Sequence, residues 1–295
     1  MTGVQTCALP ILSTIMIFMC SSVFEQILND SLGNLPEDQK QMFIEQMTNI
    51  SDSDAIVIPG QLGVNLQAKD MMNPTALEVY HSSFGSGVIE ILIGILVAAL
   101  MAKEYSQGTI KNFLAYGKRR EEFYLAKFTA IVVAIAIILV VIAILPTIVV
   151  TIINGWGQTF EFSQLLGMIK TFISSVVASS AVAAISMVIA TLVKSNGATI
   201  GITVAIFIGV PTFAGFLYGI YPWFDRVYEV LPFYNSALAT SIKAGNGDLF
   251  RSLIISVVTI TISLFAGIRI FKAQDIKYHL VKVIQRLADA HEHDM

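Results

Sequence analysis

The sequence predicts an all-α polytopic membrane protein with six transmembrane helices, and three observations carry that prediction. Apolar residues make up 55% of the chain and charged residues only 13%, against about 25% charged in a soluble domain. The mean hydropathy is +0.72. The apolar residues gather into six runs, each close to the roughly 20 residues a helix needs to cross a bilayer, and charge is concentrated between the runs.

The first run, Leu12–Leu28, is short for a span. Residues Met1–Ile11 read Met-Thr-Gly-Val-Gln-Thr-Cys-Ala-Leu-Pro-Ile. They back-translate to a common sequencing-library adapter in frame, so they are read as non-native and kept out of the fold. The first span is then truncated. Both cysteines, Cys7 and Cys20, fall at or in it, which excludes a disulfide framework in the outer segments. Asn29–Ser82 is polar, and nine acids lie between Glu25 and Glu78. Pro36-Glu37-Asp38 marks a helix start there, with Pro suited to the first turn and the acids to the positive end of the helix dipole. Asn73-Pro74 marks a second, leading through Tyr80 into the second span.

The second span is Ser83–Ala102, and Lys103–Lys127 follows it. That segment carries Lys103, Lys111, Lys118, Arg119, Arg120 and Lys127, too dense a charge for hydrocarbon and a marker of the cytoplasmic face. The remaining elements alternate from there. Spans three to six are Phe128–Ile153, Leu166–Val193, Ala198–Ile220 and Ser252–Phe271. Asn154–Leu165 and Tyr221–Arg251 are outside, and the Lys194–Gly197 turn and the tail Lys272–Met295 are inside. Tyr218, Tyr221, Trp223, Phe224, Tyr228, Phe233 and Tyr234 crowd the last outer segment as an interfacial aromatic belt. Pro222 and Pro232 divide it into short interfacial or re-entrant helices, and Asp248 is placed to cap the last span.

Few residues suggest chemistry. Glu90 lies about 10 Å into the second span at 1.5 Å per residue. An acid at that depth is either a functional site or a carboxyl kept neutral or bonded to Ser83, Ser86 or water near the edge. Lys170 is placed to snorkel to the outer surface. Ser175, Ser179 and Ala183, like Gly215 and Gly219, repeat at the small-residue spacing of close helix packing, and Pro146 and Pro211 are expected kinks. His279, His291 and His293 lack the fixed spacing of a metal set, and no metal or nucleic acid is expected. No phosphate-binding glycine loop occurs; Lys194-Ser195-Asn196-Gly197 has neither the glycines nor the helix. The chain is therefore not expected to hydrolyse ATP itself, and Glu121-Glu122 has no partner set for a protease.

Within Lys103–Lys127, Ile110, Phe113, Leu114 and Gly117 share a helical stripe, the pattern of a helix lying on a membrane or in a partner's groove. Glu104-Tyr-Ser-Gln-Gly108-Thr109-Ile110-Lys111 is followed by Lys118-Arg119-Arg120, Phe123 and Ala126-Lys127. Leu231-Pro232-Phe233-Tyr234 precedes the last span, and Phe271-Lys272-Ala273-Gln274-Asp275-Ile276 follows it. In these phrases the chain resembles the permease subunits of ABC-2 type transporters from Leu12 to Lys277. The resemblance implies six spans, with a coupling helix between spans two and three docking on a separate ATPase subunit. It implies two such ATPases, holding ATP and magnesium, and a homodimer or a heterodimer with a sister permease in a bacterial plasma membrane. Export of a peptide antibiotic, a lipid-like molecule or another amphiphile follows by analogy. Glu104 would then pair with a base, Gly108 and Thr109 would allow close approach, and Ile110, Lys111, Phe113 and Leu114 would meet the ATPase. Lys118, Arg119 and Arg120 would anchor the loop at anionic headgroups. The alternative is a self-contained channel or proton-coupled carrier with Glu90 as its proton site.

Overall fold

The computed structural model describes residues 74–84, 88–107, 119–157, 159–241 and 244–293, which form helices and short connections with no strand among them. Predicted elements on residues 1–73, including the segment read from the sequence as non-native and the first span, lie outside the described residues. Helix α1 (Ala76–Ser82) starts at the Asn73-Pro74 signal through a capping box. Thr75 Oγ1 accepts from Glu78 N–H at 3.4 Å, and Glu78 Oε2 accepts from Thr75 N–H at 2.8 Å.

Helix α2 (Val88–Val97) continues through a π-helical turn, Ala98–Ala102, into α3 (Lys103–Gln107). Helix α4 (Arg120–Ile153) begins before the apolar run, because Glu121 and Glu122 suit its first turn. Helix α5 (Phe162–Val193) has a capping box between Glu161 and Gln164 and ends at Lys194 in the left-handed region, φ 58°. Helices α6 (Asn196–Val204) and α7 (Val210–Leu217) are joined by a second π turn, Ala205–Gly209, just before Pro211. Proline there has no N–H for the Phe207 carbonyl and crowds it, so a wider turn relieves the clash. The first π turn has no proline behind it.

Two short helices, α8 (Pro222–Tyr228) and α9 (Pro232–Thr240), each open on proline, which is well suited to a first turn. Much of the aromatic crowd closes into one cluster here, while Phe233 turns to the main core and meets Phe207 at 5.2 Å. Tyr228 stacks on Phe224 at 6.0 Å and meets Tyr218 and Tyr234 at 5.8 and 5.9 Å. Helix α10 (Asn246–His293) starts where Asp248 Oδ2 accepts from Gly245 N–H at 3.0 Å. It runs on beyond Phe271, since no glycine or proline interrupts the polar continuation.

Among the described residues, four helical rods are long and apolar enough to cross a membrane: Arg120–Ile153, Phe162–Val193, Asn196–Leu217 and Asn246–Ala273. They coincide with predicted spans three to six. Their outward faces are apolar, with Ile137, Ile144 and Ile148 exposed on α4 and Val258, Ile262 and Phe265 on α10. Exposed stripes of this kind suit lipid rather than water.

Named contacts give the directions of the rods. Phe84 and Phe172 meet at 6.4 Å near the starts of α2 and α5, and Tyr80 Oη donates to the Met168 carbonyl at 2.9 Å. Lys170 Nζ donates to Asn246 Oδ1 at 3.0 Å, so the predicted snorkelling lysine ties α5 to the start of α10. At the far end Tyr105 and Tyr124 meet Phe271. Thus α2, α5 and α10 run one way, while α4 and α6–α7 return. Helix α5 is central and packs most extensively on α10. Its buried hydroxyls largely bond within the helix, Ser175 to Thr171 O at 2.8 Å and Ser186 to Val182 O at 2.8 Å. Those serines thereby serve close packing.

Candidate functional site

Helix α3 ends at Gln107 and α4 begins at Arg120, and the segments around these two ends are built into one node. Glu104 on α3 is ion-paired with Lys127 on α4, each about a quarter exposed. Lys127 Nζ also lies 5.6 Å from the centre of the Phe123 ring, a further cation–π attraction. Glu121, in the first turn of α4, is ion-paired with Lys272 of α10. The first pair clamps α3 to α4, and the second clamps α4 to the last span.

Aromatic rings fill the space beneath these pairs. Phe271 of α10 is stacked on Phe123 at 6.0 Å, meets Tyr105 edge-on at 6.0 Å and lies 6.2 Å from Tyr124. Such ring pairs add about 0.5–1.5 kcal/mol each beyond burial alone. Tyr124 and Thr191 are fully buried. Thr191 donates to Met187 O at 2.7 Å and lies against both phenols. Burial holds the Tyr105 phenol above its ordinary range, so it stays neutral. A Cβ added to Gly267 of α10 would lie 2.1 Å from Tyr124 Oη, so this glycine lets the last span approach the third. Helices α3, α4, α5 and α10 therefore share one contact region at the end bearing Lys103, Arg119, Arg120, Lys127 and Lys272.

Of the residues singled out from sequence, Glu104 lies in this node. Arg119 is the N-cap of α4 with φ −68° and ψ 135°, and Arg120 is its first helical residue. Gly108, Thr109, Ile110, Lys111, Phe113, Leu114 and Lys118 lie outside the described residues. Glu90 sits far from the node, about 20 Å up α2 from Lys103 at 1.5 Å per residue, and its Oε2 is buried with no hydrogen-bond partner among the described residues. Sequence reasoning did not single out Tyr105, Tyr124, Thr191 or Gly267. Their signal is weak, because tyrosine beside a basic loop and glycine in a span are both ordinary. Among the described residues no cluster of acids, histidines or cysteines would hold a metal.

The described residues define a helical membrane-protein fold, with four helices among them fit to cross a membrane and a braced junction at one end. The chain belongs to the family described as "Protein of unknown function (DUF2705)", whose model matches residues 55–277. No curated protein matches the sequence.

Proposed function

We propose that this chain is the membrane-spanning permease subunit of an ATP-driven ABC-2 type transporter. It crosses the bacterial plasma membrane six times with its C-terminus inside. It works as a homodimer or beside a sister permease, with two separately encoded ATPases that bind ATP and magnesium. Its cargo is a peptide antibiotic, a lipid-like molecule or another amphiphile. The observation that carries this reading is the double clamp at the roots of the 108–118 segment, Glu104 to Lys127 and Glu121 to Lys272. A push on a segment rooted this way reaches α3, α4 and α10 together and, through Thr191, α5. A loop that merely connected two spans would have no need of such bracing.

The roles of the chain's own residues follow. The Lys103–Lys127 segment carries the coupling element that the ATPase moves, with Gly108 allowing close approach and Ile110, Phe113 and Leu114 filling the partner's groove. Arg119 and Arg120 hold the segment at anionic headgroups, and the aromatic node transmits displacement into the spans.

Charge reversal tests this. Each reversal changes one side chain at the end of the bundle and leaves the apolar spans intact, so Glu104→Lys and Lys127→Glu should both insert. Each should lower ATP-driven transport severalfold in proteoliposomes holding permease and ATPase, and the double swap should recover it. Single reversals with wild-type transport would remove the clamp from the mechanism. The rival reading, a self-contained carrier, is favoured by the unpartnered Glu90 Oε2. It predicts transport by the chain alone.

A further inference from the structure

Two buried polar atoms on facing helices have no hydrogen-bond partner among the described residues: Glu90 Oε2 on α2 and Thr203 Oγ1 on α6. The two helices cross closely, and the two atoms lie about one turn apart along the crossing. A Cβ on Gly94 would lie 3.2 Å from Thr203 Cγ2 and 4.0 Å from Ile200 Cα, so α6 rests directly on α2 at that glycine. Glu90 stands one turn before Gly94 on the same face of α2. Since α2 and α6 are antiparallel, the turn after Thr203 comes level with Glu90. That turn is the π segment Ala205–Gly209.

A carboxylate and a hydroxyl thus lie at one crossing, and both accept hydrogen bonds. Ile93 and Phe207, close in sequence to Gly94 and Thr203, are buried in the main apolar core, and Phe233 packs against it. An ionised carboxylate inside a membrane is costly unless a counter-charge and donors meet it. A primary ammonium supplies both, with three donors and no acceptor.

We infer that the α2–α6 crossing is a binding subsite for a protonated primary amine carried on an apolar body. Glu90 is the counter-charge and Thr203 the hydroxyl that positions the amine. The subsite rests on the transport reading only in being a cargo site. Binding needs no ATPase, so the two ideas fail separately.

The test is equilibrium binding of radiolabelled phenethylamine to the detergent-purified full chain. Saturable binding is expected, competed by unlabelled phenethylamine but not by phenethyl alcohol or sodium ion. Glu90→Gln and Thr203→Val should each weaken it at least about tenfold, the scale of losing a charge-assisted bond, and Thr203→Ser should retain it. If Glu90→Gln does not fold, the contrast between Val and Ser at position 203 decides. Five results overturn the proposal: no saturable binding, equal competition by the alcohol, equal competition by sodium, a folded Glu90→Gln variant that binds like wild type, or a Thr203→Val variant that does so.

Discussion

Gly267→Ala should destabilise the protein by about 1–3 kcal/mol, the cost of forcing a methyl group into a packed interior. The added Cβ would lie 2.1 Å from Tyr124 Oη and 2.6 Å from Cζ. Tyr124 is fully buried, in contact with Phe271 and Thr191, and its rigid ring has nowhere to swing. Either the ring is displaced from Phe271 or α10 moves away from α4. A lowered thermal midpoint of the purified full chain in detergent is the expected result. The second arm separates this contact from a general intolerance of substitution. In a Tyr124→Ala background the obstructing ring is gone, and Gly267→Ala should then cost far less than it does alone, a coupling of about 0.5–3 kcal/mol. Equal costs in the two backgrounds would mean that Tyr124 does not set the closeness of the two helices.

Gly108→Trp should have the second large effect, and on function rather than folding. On the proposed reading, Gly108 lets the coupling helix approach the ATPase closely, and an indole would hold the surfaces apart. Spans and clamps are untouched, so membrane insertion and the thermal midpoint should remain. The ATPase should still hydrolyse ATP, while cargo moved per ATP falls by about tenfold or more. That is the scale of losing a coupling free energy of about 1–3 kcal/mol. ATP hydrolysis and cargo movement measured in the same proteoliposomes check it, and wild-type coupling in the variant would remove the assignment of the coupling element.

Some of this structure is legible in the sequence, and the physical reason differs by feature. The cores of α4, α5, α6–α7 and α10 follow from length and hydropathy alone, since a bilayer demands long apolar helices. Their ends are harder. Glu121 and Glu122 look like loop residues, yet they favour the first turn of α4, and nothing after Phe271 stops α10. The π turn at Ala205–Gly209 has a local cue in Pro211, whereas Ala98–Ala102 has none. The node is less legible still. The basic excursion stands out by charge, but Glu104 with Lys127, Glu121 with Lys272 and Gly267 with Tyr124 are partnerships set by how distant segments pack. Glu90 is the converse case. Its depth was readable from the hydropathy pattern, while its unpartnered oxygen and its relation to Thr203 needed three dimensions.

The central claim is that this chain is one half of a machine whose motor is another polypeptide. The most direct measurement is gentle detergent extraction of the tagged full chain from its native membrane. Protein mass spectrometry and an ATP hydrolysis assay of the purified material then follow. The account predicts a nucleotide-binding ATPase in stoichiometric amount, with hydrolysis that requires magnesium. A preparation with no ATPase, which nonetheless transports by itself in proteoliposomes and loses that transport in Glu90→Gln, would contradict it.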